Sequence, residues 1–158
     1  MTNFDTPTWR EERDAKLLGL FGGNQSAVSF YVAVSTLCEL WDDLTDRDKE
    51  IAQADVDAAF WSALVTLPSN EFFNAHKAFF IPLIIQGINA WKDSVELEKG
   101  DAQDRAYALT LRNLGIQLVP MIVTVLRGHE AARQMSVDFW KWNTAHDDAL
   151  AWINKKGQ

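Results

Sequence analysis

The chain has 158 residues, with 22 acids against 15 bases and a formal net charge of −7. Hydrophobic residues are 47% and charged residues 23% of it, values that exclude general disorder. A single cysteine, Cys38, excludes an intramolecular disulfide framework and a zinc site built from several cysteines. The length suits one compact helical domain over residues 1–158, with flexible ends at about 1–7 and 155–158.

Residues 1–13 are polar and mixed in charge, without the apolar core of a signal peptide. Thr8 is a candidate cap for a first helix over 9–20, with Glu11 and Glu12 in its opening turn. Gly22 and Gly23 end that helix, and Asn24 can cap the next. The second helix is expected over 25–44, with Val28, Val32, Leu37, Leu40, Trp41 and Leu44 on a broad apolar face. Residues 30–34 are rich in β-formers, but the helical spacing continues past them.

Asp48 or Asp55 can cap a third helix that Pro68 stops near Leu67. A fourth runs over 70–98 with Pro82 in its middle, where a kink or a break is expected. Gly87 adds a close-packing position or another weak point, and Gly100 ends the segment. A fifth helix is expected over 102–126 with a bend at Pro120, and a last one over 131–153. Residues 109–126 are the most apolar stretch, but Arg112, Asn113, Gln117 and Pro120 interrupt it, so no membrane span is expected. No hairpin turn and no run of alternating strands occurs. The fold class is all-α: a single-domain bundle of five or six helices, one of them kinked near Pro82. Seven Trp and nine Phe can fill its core. Cytoplasmic location is the default expectation.

The charge is unevenly spread. The first 60 residues hold 12 acids against five bases, and the remainder is neutral. Such an acidic patch repels a phosphate backbone, which disfavours nonspecific nucleic-acid binding. At 100° per residue, Glu39, Asp43 and Asp46 fall on one helical stripe with Asp42 beside them. Carboxylates so close repel one another, and a hard cation such as Mg²⁺ or Mn²⁺ relieves the repulsion. Asn89, Asp93 and Glu96 repeat the same spacing on the fourth helix. If the two stripes face each other, the metal ligands are Glu39, Asp42, Asp43, Asp46, Asn89, Asp93 and Glu96.

Two families share parts of this pattern. Asp42-Asp43-Leu44-Thr45-Asp46 resembles the aspartate-rich motif of isoprenoid synthases, all-helical enzymes that bind diphosphate through Mg²⁺. Asn89 matches the start of their second motif, but Asp93 and Leu97 replace its second and third positions. The chain also resembles the MazG-like and dimeric dUTPase-like nucleotide pyrophosphatases, which are short, helical and often oligomeric. Glu39 with Asp42, and Asp43 with Asp46, would supply their first acidic group. Asp93 with Glu96 would supply the second, in reversed acid order. Either resemblance implies metal-assisted chemistry on a diphosphate, and the pyrophosphatase resemblance implies a divalent-metal-binding protein that hydrolyses a nucleotide or related diphosphate. Glu39, Asp43, Asp93 and Glu96 would be catalytic, and Lys92, Arg105 and Arg112 would neutralise phosphate.

The remaining candidates are less specific. His146-Asp147 resembles the paired element of HD-type metal phosphohydrolases, without their further histidines. His76 lies in an aromatic segment, and His129 lies near a predicted helix end. Cys38 adjoins the acidic stripe, which favours its unreactive thiol form. The alternative to an enzyme is a noncatalytic acidic helical interaction protein that binds a protein partner. A homo-oligomer fits both readings, with Trp9, Phe21, Trp140 and Trp152 as interface candidates. An acidic mimic of nucleic acid is a third possibility.

Overall fold

The computed structural model describes residues 7–47, 50–112, 114–144 and 149–154. Asp48 and the His146-Asp147 pair lie outside the described residues, as do nearly all of the expected flexible ends. Helix accounts for 88% of what is described, and no strand occurs among those residues. The chain is all-α.

The elements are α1 (Pro7–Leu20), α2 (Gln25–Asp46) and α3 (Gln53–Trp61). A π-helical turn (Ser62–Thr66) and the short α4 (Leu67–Ser69) continue α3 without a gap. Then come α5 (Glu71–Leu97), α6 (Ala102–Leu111), α7 (Leu114–Arg127), α8 (His129–Asn143) and α9 (Ala149–Ile153). With the run from Gln53 to Ser69 counted once, the described residues hold eight helical segments, not five or six. Two expected helices are divided. The fifth splits after Leu111, where Asn113 and Gly115 bring low helix propensity. The last splits after Asn143, and α9 resumes at Ala149.

Local signals set most boundaries. Pro7 opens α1, a position where its missing N–H is no loss, so Thr8 lies inside the helix and not at its cap. Gly22 and Gly23 take positive φ, and the Asn24 carboxamide oxygen accepts from the Ala27 N–H at 2.9 Å. Arg47 closes α2 in the left-handed region at φ 54°. Asp101 and Asp104 form a reciprocal capping box at the start of α6.

The prolines behave differently from one another. Pro82 lies inside α5, which runs as one element of 27 residues with no break. Pro68 does not stop the third helix at Leu67. The helix continues to Ser69 and widens upstream, with the Leu67 N–H reaching back five residues to the Ser62 carbonyl. A proline ring collides with the carbonyl four residues before it, here that of Leu64. The wider turn over Ser62–Thr66 brackets that carbonyl.

The chain forms two compact units. The first comprises the described part of Asn3–Lys77 together with Val125–Arg127. Its core is Leu17, Phe21, Val28, Phe30, Tyr31, Val34, Ala59 and Phe72. Phe30 stacks on Phe73 with ring centroids 5.3 Å apart, and tilts against Phe72 at 5.8 Å. α2 packs on α1, on α3 and on the π-helical turn. Truncating Phe30 to alanine in so filled a site costs about 3–5 kcal/mol.

The second unit comprises the described part of Ala78–Thr124 and Gly128–Gln158. Phe80, Leu118, Val119, Ile122, Val123, Ala132 and Phe139 form its core. α6 packs on α9, where the Arg105 guanidinium donates to the Ile153 carbonyl at 2.7 Å.

Phenylalanine fills these cores and tryptophan does not. Phe21, Phe30, Phe72, Phe80 and Phe139 are buried, while none of the seven tryptophans is. Phe21 is therefore a core residue of the first unit and not an interface candidate. Trp140 is exposed, and Trp9 and Trp152 are half-buried. No helix among the described residues is long and apolar enough to cross a membrane.

Candidate functional site

The acids of the expected metal site divide between the two units. Glu39, Asp42, Asp43 and Asp46 occupy the last two turns of α2 in the first unit. Glu39 and Asp46 are exposed, and Asp42 and Asp43 half-buried. Asn89, Asp93 and Glu96 lie exposed on α5 in the second unit. Glu96 accepts from the Lys99 ammonium at 2.9 Å. Among the described residues, no group of three or more His, Cys, Asp or Glu side chains is arranged to hold a metal ion.

The expected phosphate-binding cations differ in engagement. Lys92 is exposed on α5. Arg105 donates to the carbonyls of Ile153 and Gly100. Arg112 lies 2.7 Å from the Glu98 carboxylate, and its guanidinium sits 5.7 Å from the Trp152 ring centroid. Both arginines therefore hold parts of the second unit together.

Among the described residues, His76, His129 and Cys38 lie on separate helices. His76 is half-buried with its ring tilted against Phe72 at 5.0 Å. His129 is the first residue of α8. Burial pushes the Cys38 thiol up to about 11, and the Glu39 and Asp42 carboxylates add to the rise. Cys38 itself is exposed on α2. It stays a neutral thiol across the physiological range.

A different surface of the first unit stands out. Phe60, Trp61, Leu64 and Val65 are 63%, 65%, 69% and 40% exposed. Their spacing of zero, one, four and five places them on one side of α3 and the π-helical turn. Contiguous exposed apolar rows mark interaction surfaces, whereas single exposed apolar residues are ordinary; α5 of the second unit carries a less bulky row at Ile81, Ile85 and Ile88. Trp61 and Val65 also line an open groove of about 440 Å³. Gln25, Ser26 and Ser29 of α2 form its second wall, and Thr66, Ser69, Asn70 and Glu71 close it.

Hydrogen bonds fix the groove floor. Buried Asn70 donates from its amide to the Ser26 carbonyl at 2.8 Å, and its oxygen accepts from the Phe73 N–H at 2.7 Å. The Ser26 hydroxyl donates to the Asn70 oxygen at 3.3 Å and accepts from the Phe72 N–H at 3.0 Å. Ser69 donates to the Val65 carbonyl at 2.6 Å. These hydroxyls are committed to structure, and no histidine, lysine or arginine lines the groove. The groove therefore sets an apolar wall beside a hydrogen-bonded polar floor.

The surroundings are acidic. From Glu50 to His76 there is no lysine or arginine, and the acids are Glu50, Asp55, Asp57 and Glu71, all exposed. Asp57 precedes Trp61 by four residues and Leu64 by seven, which places it on their stripe. Its carboxylate accepts from the Gln53 amide at 2.9 Å.

The second unit holds a smaller cavity, about 110 Å³, lined by Leu83, Gly87, Ala90, Leu111, Leu118 and Met121 with Gln86 and Gln117. Gly87 is buried and borders this cavity.

Comparison with protein families, with curated proteins and with solved structures gave no match.

Sequence reasoning passed over the row from Phe60 to Val65 because it assigned the large rings to the core. Its signal was present: apolar residues at helical spacing inside a stretch whose only formal charges are negative.

Proposed function

We propose that the chain is a noncatalytic, acidic helical interaction protein that binds a protein partner through its first unit. The observation that carries this reading is the exposure of Phe60, Trp61, Leu64 and Val65 side by side. Covering such a row removes apolar surface from water, the main driving force of protein association. Trp and Phe supply large rigid contact areas of the kind that dominate binding energy. The polar floor and acidic rim give the row a surround of the opposite character.

Photo-crosslinking tests the reading. A photoreactive side chain replacing Leu64 should yield a discrete adduct with a second protein in cells that make the chain. The same group replacing Gln103, exposed on α6 of the second unit, should not. Adducts of equal yield from both positions, or none from either, would contradict it.

Metal-dependent hydrolysis of a nucleotide or related diphosphate is the competing proposal. It rests on the common helical stripe of Glu39, Asp43 and Asp46 on α2, with Mg²⁺ or Mn²⁺ as the cation.

A further inference from the structure

We infer that the segment bound on the Phe60, Trp61, Leu64 and Val65 face is a cationic amphipathic helix of the partner protein. This rests on the protein-docking reading above and adds the chemistry of the occupant. Three observations lead to it. First, the face lies in a stretch with four exposed acids and no lysine or arginine, so a complementary segment carries positive charge. Second, the face is built wholly from helical elements, whose backbone groups are bonded within their own turns. It offers no strand edge for an extended peptide, which favours an occupant that satisfies its own backbone, as a helix does. Third, the groove beside Trp61 is open and shallow, a shape that receives side chains of a macromolecule and does not enclose a small ligand.

The same charges argue against a second copy of the chain. A two-fold contact through this face would set Asp55, Asp57 and Glu71 of one copy against those of the other. They also argue against a phosphate backbone or an anionic lipid surface. A helix with apolar residues at every third or fourth position would lay them along Phe60 and Leu64, with one large side chain in the groove. Its lysines or arginines would flank Asp57 and Glu71.

The test uses a fluorescein-labelled peptide of about 18 residues, with leucines at helical spacing and lysines at the remaining positions. A matched peptide carries glutamate for each lysine. Fluorescence anisotropy with the full chain should show the leucine–lysine peptide binding about tenfold or more tighter than its glutamate counterpart. Leu64→Asp should weaken it about tenfold, and Asp57→Lys several-fold, with helix content by circular dichroism unchanged in both. Gln103→Ala, exposed on α6 of the second unit, should leave the affinity at the native value. Equal affinity for the two peptides would overturn the inference. So would a leucine–lysine affinity that Leu64→Asp leaves unchanged, because attraction to the net charge alone gives that result. A protein adduct from position 64 without peptide selectivity removes the cationic helix and keeps the docking reading. Absence of the adduct removes both.

Discussion

Asn70 and Ser26 are joined twice across 44 positions of sequence: the Asn70 amide donates to the Ser26 carbonyl, and the Ser26 hydroxyl donates to the Asn70 oxygen. The same two side chains satisfy the N–H groups of Phe72 and Phe73 at the start of α5. The start of α2 is thereby fixed to the start of α5, with the groove above. Asn70→Ala removes the buried partner of both the Ser26 carbonyl and the Phe73 N–H. Chemical denaturation should show a loss of about 1–3 kcal/mol. Asn70→Asp retains the acceptor but sets a buried carboxylate oxygen against the Ser26 carbonyl, so it should be destabilising as well.

Arg112 makes an analogous junction in the second unit. Its Nη2 is 2.7 Å from Glu98 Oε2, yet Nε and Nη2 make no well-directed hydrogen bond. The pair is thus held by charge and by the Trp152 ring more than by bond geometry. Their side chains are 18% and 30% exposed, so solvent screens part of the attraction. Arg112→Ala should cost about 1–2 kcal/mol in a denaturant titration, through lost packing as well as charge. Arg112→Lys should recover less than half of that, because lysine lacks the planar face that stacks on Trp152. Combining Arg112→Ala with Glu98→Gln should cost less than the sum of the single variants.

Cys38 gives a prediction in pH. Its folded pKa of about 11 lies above the ordinary 9.0, so the neutral thiol is favoured in the folded chain. A rise to about 11 lowers the thiolate fraction at pH 8, and the greater nucleophilicity of a more basic thiolate recovers only part of that loss. Iodoacetamide should therefore alkylate the folded chain more slowly than the urea-unfolded chain at that pH. The linkage has a definite sign. Cys38 contributes stability below pH 9, and the contribution falls as pH rises from 9 to about 11, where the unfolded chain has lost a proton that the folded chain keeps. Cys38→Ser should flatten that part of the stability–pH curve.

The metal proposal and the docking proposal separate in a calorimeter. A protein-binding module should show no saturable Mn²⁺ heat at matched ionic strength, and Asp43→Ala should titrate like the native chain. Saturable binding lost in Asp43→Ala would favour the metal reading and justify a screen for diphosphate hydrolysis.

Helix identity was legible in the sequence because caps and apolar spacing are local. Asn24, Gly22 and Gly23 marked the α1–α2 junction, and Gly100 with Asp101 marked the start of α6. The effect of Pro68 was not legible as a stop signal. Its penalty could be absorbed by widening the preceding turn, and the Asn70–Ser26 bonds hold the downstream end in place. The role of large rings was also misread from composition. A count of aromatics does not say which helix faces are covered: Phe30 is enclosed and Trp61 is 65% exposed. The acidic stripe on α2 was legible as a stripe. Its relation to Asp93 was not, because spacing along one helix carries no information about another.

Oxidative footprinting of Trp61 tests the central claim most directly. Hydroxyl radicals should label Trp61 strongly in the isolated chain, where it is 65% exposed, and more strongly than half-buried Trp9 and Trp91. In an extract of the cells that make the chain, labelling at Trp61 should fall while that of Trp140, exposed in the second unit, is retained. Weak labelling of Trp61 in the isolated chain, or equal labelling in both conditions, would contradict a docking face at this position.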